Sequence, residues 1–219
     1  MSKRIILLSD FDGTVIDIDS GEYVLDRFAK GDWRYVEQQF RLGELSFEQS
    51  LRGEFGMITG SVDEILKKVD PAASIRPYFA DVVKFCQYSG IELKLVSGGL
   101  DFCIKHILER DGLNVEVICP KSTFTHEGLK LEFPSLSNPT SFSFKDDMVR
   151  NYQRKNYRVL YVGDGYADYY ALKEANMRFV MKGSVSAELI RLNKIEAIEV
   201  ADFEPVLNAL AQGGTLEGM

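Results

Sequence analysis

The chain has 219 residues, 45% of them hydrophobic and 27% charged, with a formal charge of −7. That length suits one domain with an insertion or two small domains, and the composition is that of a globular protein with a real core. The acidic balance excludes a general nucleic-acid-binding role, which needs a basic surface.

Residues 4–9 form a continuous apolar run, the pattern of a strand buried on both faces of a parallel sheet. The run is far too short for a secretory core or a membrane span, so the expectation is a cytoplasmic protein with no membrane and no nucleic-acid partner. Residues 16–74 then carry helical periodicity without a strand, in GEYVLDRFAK, DWRYVEQQFRLG, SFEQSLRGEFG and SVDEILKKVD. Four short helices inserted there would form a cap, hinged near residues 15–17 and 73–76.

RPYFADVVKFCQYSG predicts a helix stopped by Gly90, IELKLVSGG a second strand, LDFCIKHILERDG a helix ending near Gly112, and LNVEVIC a third strand. Residues 115–133 alternate around His-Glu-Gly, which predicts a hairpin projecting from the sheet. KDDMVRNYQRK reads as a helix, YRVLYVGDG as a fourth strand, YADYYALKEA as a helix, MRFVMKG as a short fifth strand and SAELIRLN as a helix. The tail QGGTLEGM is expected to fray. The alternation argues for an α/β fold: a doubly wound, Rossmann-like parallel sheet from residues 1–15 and 75–219, with a helical cap domain over 16–74. Cys86, Cys103 and Cys119 are odd in number and form no CxxC pair, as expected of reduced, buried thiols.

In open parallel sheets the ligand binds beyond the carboxyl ends of the strands. The first strand is followed by Asp10-Phe11-Asp12-Gly13-Thr14, the second by Ser97-Gly98-Gly99, and the fourth ends in Gly163-Asp164-Gly165-Tyr166-Ala167-Asp168. Lys145 opens the helix before that fourth strand. Asp10 and Asp12 are two apart, so in an extended segment both point one way while Phe11 points back. With Asp164 nearby, three carboxylates would face one point, which is unfavourable unless a hard cation such as Mg²⁺ sits there. That cation, Lys145 and the backbone N–H groups after Ser97 would let an acidic protein hold a phosphate. One carboxylate would then act as nucleophile and a second as general acid/base. Each motif alone suits an ordinary turn or helix entry; their order relative to the predicted strands carries the reading.

DFDGT, LVSGG, Lys145 and GDGYAD resemble the four motifs of the haloacid dehalogenase-like phosphatases, over residue 4 to about 200. The resemblance implies Asp10 as nucleophile, Asp12 as general acid/base, and Ser97, Gly98 and Lys145 as phosphate ligands. It implies Mg²⁺ held by Asp10, the backbone carbonyl of Asp12 and Asp164, with Asp168 supporting the metal site. Ala167 departs from the Asn or Thr of many relatives. The cap resembles the phosphoserine phosphatase branch, where LSFEQSLRGEFGMITG places Arg52 at the position that binds the substrate carboxylate. Asp19 stands where that branch uses Glu to bind the amino group. On the residues alone, Arg52 also suits a salt bridge on the cap surface and Asp19 a helix N-cap.

The hairpin and SGGLDF are similar instead to 2-hydroxy-3-keto-5-methylthiopentenyl-1-phosphate phosphatase, which also carries Asp at the position of Asp19. The cysteine-rich stretch expected there before the motif lysine is absent, since SNPTSFSFK has no Cys. Trp33, Tyr35 and Phe55 either line an apolar specificity pocket or fill the cap core, and His106 and His126 are assigned no chemistry. The resemblance implies a Mg²⁺-dependent phosphatase acting on a small phosphorylated metabolite of either substrate type through an aspartyl-phosphate. A phosphotransferase to a small alcohol is the alternative. A receiver-like signalling module would lack the cap and DxDGT, and a haloacid dehalogenase would lack Asp12 and the metal. Monomer and homodimer both stay open.

Overall fold

The sheet is built around the first apolar run. The computed structural model describes residues 4–126 and 128–213. In it β1 (Arg4–Ser9) is followed by α1 (Ser20–Phe28), α2 (Trp33–Arg41), α3 (Phe47–Phe55), α4 (Val62–Val69) and α5 (Phe79–Ser89). Next come β2 (Glu92–Val96), α6 (Asp101–Arg110), β3 (Glu116–Ile118), β4 (Lys121–Thr125), β5 (Gly128–Glu132) and α7 (Phe144–Arg154). The chain continues through β6 (Tyr157–Gly163), α8 (Tyr166–Glu174), β7 (Met177–Met181), α9 (Val185–Leu192), β8 (Ile198–Val200) and α10 (Glu204–Ala211).

Six parallel strands pair in the order β3-β2-β1-β6-β7-β8. Winding runs outward from β1 through β2 to β3, then restarts on its other side at β6. A crevice opens at such a switch point, beyond the carboxyl ends of β1 and β6. The side-chain period of two divides β1 between two cores. Leu7 packs with Leu160 and Val162 against α5, α6 and α10. Ile6 and Leu8 pack with Val159 and Tyr161 against α7, α8 and α9. Each such side chain, removed wholly from water, contributes roughly 1.5–3 kcal/mol.

The structure adds β8 and α10, which the sequence reading leaves unassigned. β8 is an edge strand of three residues with Glu199 at its centre, too short and too polar to stand out. The expected hairpin also starts later. Residues 116–118 extend the parallel sheet as β3, and only β4 and β5 pair antiparallel, Lys121 opposite Glu132 and Thr125 opposite Gly128. The pair does not project freely, because Arg52 of α3 donates to the Leu131 carbonyl. Glu127 of the turn and residues 214–219 of the tail lie outside the described residues.

The four helices after β1 start where side chains can cap them. Asp19, Asp32, Ser46 and Ser61 accept from the backbone N–H of Glu22, Tyr35, Gln49 and Glu64. The segments that lead in and out are tied together: Asp17 N–H donates to the Ser74 carbonyl at 3.1 Å and Arg76 N–H to the Val15 carbonyl at 2.8 Å. α4 leans on α6, where His106 Nε2 meets Asp70 Oδ1 at 3.0 Å and Arg110 donates to the Asp70 and Ala73 carbonyls. Cys86 and Cys103 are buried, Cys119 is half-buried, and all three are free. Burial pushes the Cys86 and Cys119 thiols up to about 12 and leaves them inert. No described helix is long and apolar enough to cross a membrane.

Candidate active site

Asp10 leaves the end of β1 with its N–H donating to the Val162 carbonyl of β6 at 2.9 Å. The chain then turns. The N–H groups of Thr14, Val15 and Ile16 converge on the Phe11 carbonyl at 3.3, 2.7 and 3.1 Å. This turn corrects the expectation that the Asp10 and Asp12 carboxylates point together, since that rests on an extended segment. The Asp12 carboxylate instead faces the start of α1, where Oδ1 accepts from Ser20 N–H at 2.9 Å and from Ser20 Oγ. A helix N-terminus is a favourable place for an anion. Ser97 Oγ lies 3.5 Å from Asp12 Oδ2 and accepts from Gly99 N–H at 3.0 Å. Two glycines permit the close approach. A Cβ on Gly13 (φ +67°) would stand 2.3 Å from Asp164 Oδ2, and one on Gly99 would stand 2.1 Å from Asp12 Oδ2.

The three carboxylates that do meet are Asp10, Asp164 and Asp168, with one oxygen from each inside 4.8 Å of the others. Lys145, 4% exposed, reaches them from the first turn of α7. Its Nζ donates to Asp168 Oδ1 at 2.8 Å and stands 2.8 Å from Asp10 Oδ1 without hydrogen-bond alignment, so that buried oxygen lacks a donor. Asp168 is already engaged: Oδ1 also accepts from Tyr161 OH at 2.7 Å, and Oδ2 from Gly165 N–H at 2.9 Å. Among the described residues the Asp164 side chain accepts a hydrogen bond only from Thr14 Oγ1, at 2.9 Å. This all-oxygen set fits a hard divalent cation such as Mg²⁺. Asp10 and Asp164 have free oxygens to offer it, and Asp168 braces Lys145 and the loop.

Burial raises the Asp10 carboxyl well above the carboxylate range; Asp168 adds to the rise and Lys145 opposes it. Burial likewise pushes Asp12 up to about 7, with the Asp19 charge adding and the Ser20 hydrogen bonds opposing. Asp164 also reaches about 7, through burial and then the Asp168 charge. Burial works against the Lys145 charge, but Asp10 and Asp168 hold its ammonium above the ordinary lysine value.

A cleft of about 380 Å³ opens above these groups, between the strand ends and the inserted helices. Asp10, Asp12, Asp19, Ser97, Gly98, Lys145, Asp164 and Asp168 all line it, and so does Ala167. Arg52 does not. α3 turns Ser50, Leu51, Glu54 and Phe55 to the cleft, while the Arg52 guanidinium lies 4.7 Å over the Phe133 ring and bonds the Leu131 carbonyl. Arg52 thus corrects the substrate assignment: it clamps the hairpin to the cap. Asp19 both caps α1 and lines the cleft; it keeps solvent contact through the mouth, yet desolvation raises its carboxyl. Trp33 and Phe55 line the space, whereas Tyr35 is exposed on the far side of α2.

Several participants escape sequence reading. Ser20, Tyr161, Glu22, Glu37 and Glu54 carry no motif. Only Thr14, inside DFDGT, had a signal, and alone it reads as a turn residue.

A family model described as haloacid dehalogenase-like hydrolase matches residues 7–173. A 2-hydroxy-3-keto-5-methylthiopentenyl-1-phosphate phosphatase from Brevibacillus brevis is 28% identical over 218 residues, covering 97% of each chain. Pdp3-interacting factor 1 of Schizosaccharomyces pombe is 26% identical over 215 residues, covering 92% of this chain and 91% of the relative. A solved phosphoserine phosphatase, a phospho-aspartyl intermediate analogue, matches with TM-score 0.69 at 20% identity over 94% of this chain and 99% of its own, a likeness of fold.

Proposed function

The chain belongs to the haloacid dehalogenase-like hydrolase family, and we propose that it is a Mg²⁺-dependent phosphatase that hydrolyses a small-molecule phosphomonoester through an aspartyl-phosphate on Asp10. The observation that carries this is the junction at the β1–β6 switch point. There a buried carboxylate with an unsatisfied oxygen stands 2.8 Å from a buried ammonium and beside a second, hydrogen-bonded acid.

Asp10 attacks phosphorus. Asp12, protonated near neutrality and held by Ser20, gives its proton to the leaving oxygen and then draws one from water. Lys145, Ser97 and the backbone around Gly98 and Gly99 hold the phosphoryl oxygens. Mg²⁺, held by Asp10, Asp164 and the Asp12 carbonyl, would neutralise phosphoryl charge. Residues 16–74 act as a cap domain over a core of residues 1–15 and 75–219 and keep water from the cleft.

Of the two substrate types in view, a carboxylate-bearing phosphoserine is poorly supported, because Arg52 is committed to the hairpin. The full-length likeness to the Brevibacillus brevis enzyme supports a substrate without a carboxylate. The test is release of phosphate from p-nitrophenyl phosphate with Mg²⁺ and with EDTA, for the natural chain and Asp10→Asn. Activity that needs Mg²⁺ and vanishes in Asp10→Asn is expected. Full activity in EDTA or in Asp10→Asn would overturn the reading.

A further inference from the structure

Tyr161 puts a hydroxyl where the core asks only for an apolar side chain. It lies in the middle of β6, opposite Leu8 of β1 and Arg178 of β7, and is 0% exposed. The strand period sets Val159, Tyr161 and Gly163 on one face, and Val159 and Tyr161 share a core there with Phe144 of α7 and Ala167 of α8. A hydroxyl taken out of water costs stability unless it is hydrogen-bonded. Among the described residues this one has a single hydrogen-bond partner: it donates to Asp168 Oδ1 at 2.7 Å. Gly163 makes the approach possible, because a Cβ there would stand 2.6 Å from Asp168 Cβ and Cγ and 3.0 Å from Tyr161 Cε1.

The oxygen that Tyr161 meets is the one that Lys145 uses. Lys145 Nζ donates to Asp168 Oδ1 at 2.8 Å and stands at the same distance from Asp10 Oδ1. The Asp168 carboxylate is pinned on its other side, where Oδ2 accepts from Gly165 N–H at 2.9 Å. An oxygen with two donors divides its charge between them, and in a low-dielectric site each donor feels the other strongly. The share taken by the tyrosine hydroxyl weakens the pull of Asp168 on the ammonium. Asp168 is also 0% exposed, so bulk water does not stand in for that hydroxyl.

We infer that Tyr161 is a positioning residue for phosphoryl transfer: acting through Asp168, it keeps the Lys145 ammonium available to Asp10 and to a phosphoryl oxygen instead of drawn fully onto Asp168. The inference rests on the phosphatase reading above. Because the hydroxyl meets Asp168 and neither Asp10 nor Asp164, its effect falls on the phosphoryl group and not on the cation.

Tyr161→Phe keeps the ring and removes the hydroxyl. Two quantities read the site whatever fraction of the protein is folded: the calorimetric Kd of inorganic phosphate with Mg²⁺ present, and the Mg²⁺ concentration for half-maximal hydrolysis of p-nitrophenyl phosphate. The phosphate Kd is expected to rise about tenfold, the lower end of what a hydrogen bond to a charged group contributes, and kcat to fall with it. The Mg²⁺ requirement is expected to stay unchanged. A purely structural tyrosine would lower the urea midpoint and leave Kd alone. An unchanged Kd, a raised Mg²⁺ requirement, or a variant that does not fold would each overturn the inference, while p-nitrophenyl phosphate hydrolysis by the natural chain kept the phosphatase reading. A natural chain that neither binds phosphate nor hydrolyses the ester would overturn both.

Discussion

Lys145→Met isolates the electrostatics of the site from its chemistry. The ammonium is 4% exposed and lies 2.8 Å from each of two carboxylates, Asp10 at 5% and Asp168 at 0% exposure. Removing one partner of a buried ion pair leaves an uncompensated charge and costs about 3–5 kcal/mol. Two carboxylates lose their cation here, but Asp10 can take up a proton instead, so the cost depends on pH. Asp10 is already raised in the folded chain, and Lys145 is what opposes the rise. Without Lys145 the folded value climbs further above the unfolded one. A group raised on folding favours the folded state at low pH, and that contribution fades as pH rises through the folded value. The deficit of Lys145→Met should therefore be small at pH 5 and reach about 3–5 kcal/mol at pH 8. Urea denaturation of metal-free protein in EDTA, at both pH values, measures it. A loss below about 1 kcal/mol at pH 8, or one equal at the two pH values, would refute a buried, charge-balanced Lys145.

Asp12→Asn should keep phosphate binding and lose turnover by roughly 10²–10⁴-fold, read as kcat in steady-state assays with Mg²⁺. Ser20→Ala removes a hydrogen bond that lowers the Asp12 carboxyl, so the alkaline limb of the kcat profile, where protonated Asp12 is lost, should move to higher pH. Arg52→Ala should lower stability by about 1 kcal/mol, the worth of one hydrogen bond, and leave KM for a phosphomonoester unchanged. A rise in KM confined to carboxylated esters would return Arg52 to the cleft.

The core was legible because its signals are local and mutually consistent. An uninterrupted apolar run can be read as a doubly buried strand, and DFDGT, SGG and GDGYAD each stand at a strand end, where a switch point makes them meet. The direction of the Asp12 carboxylate was not legible. Its orientation depends on three N–H groups converging on the Phe11 carbonyl and on Ser20 at the start of α1, contacts that no residue spacing announces. β8 was lost for a different reason, since three residues with a central glutamate carry too little hydrophobic period to register.

The inserted helices show why motif reading stops at the core. On α3, Arg52 and Glu54 are two residues apart, so they project about 200° apart around the helix and only one can face the cleft. A basic residue near a phosphate site invites assignment as an anion ligand. The deciding contacts lie far along the chain, at the Leu131 carbonyl and the Phe133 ring, which draw Arg52 outward and leave Glu54 inside. That choice reverses the charge the cap offers. Lys145 lines the strand-end side of the cleft, while the inserted helices turn carboxylates to its other side. The inserted helices thus turn a charge opposite in sign to the ammonium beside Asp10 toward the cleft, and the rotation of one nine-residue helix decides it.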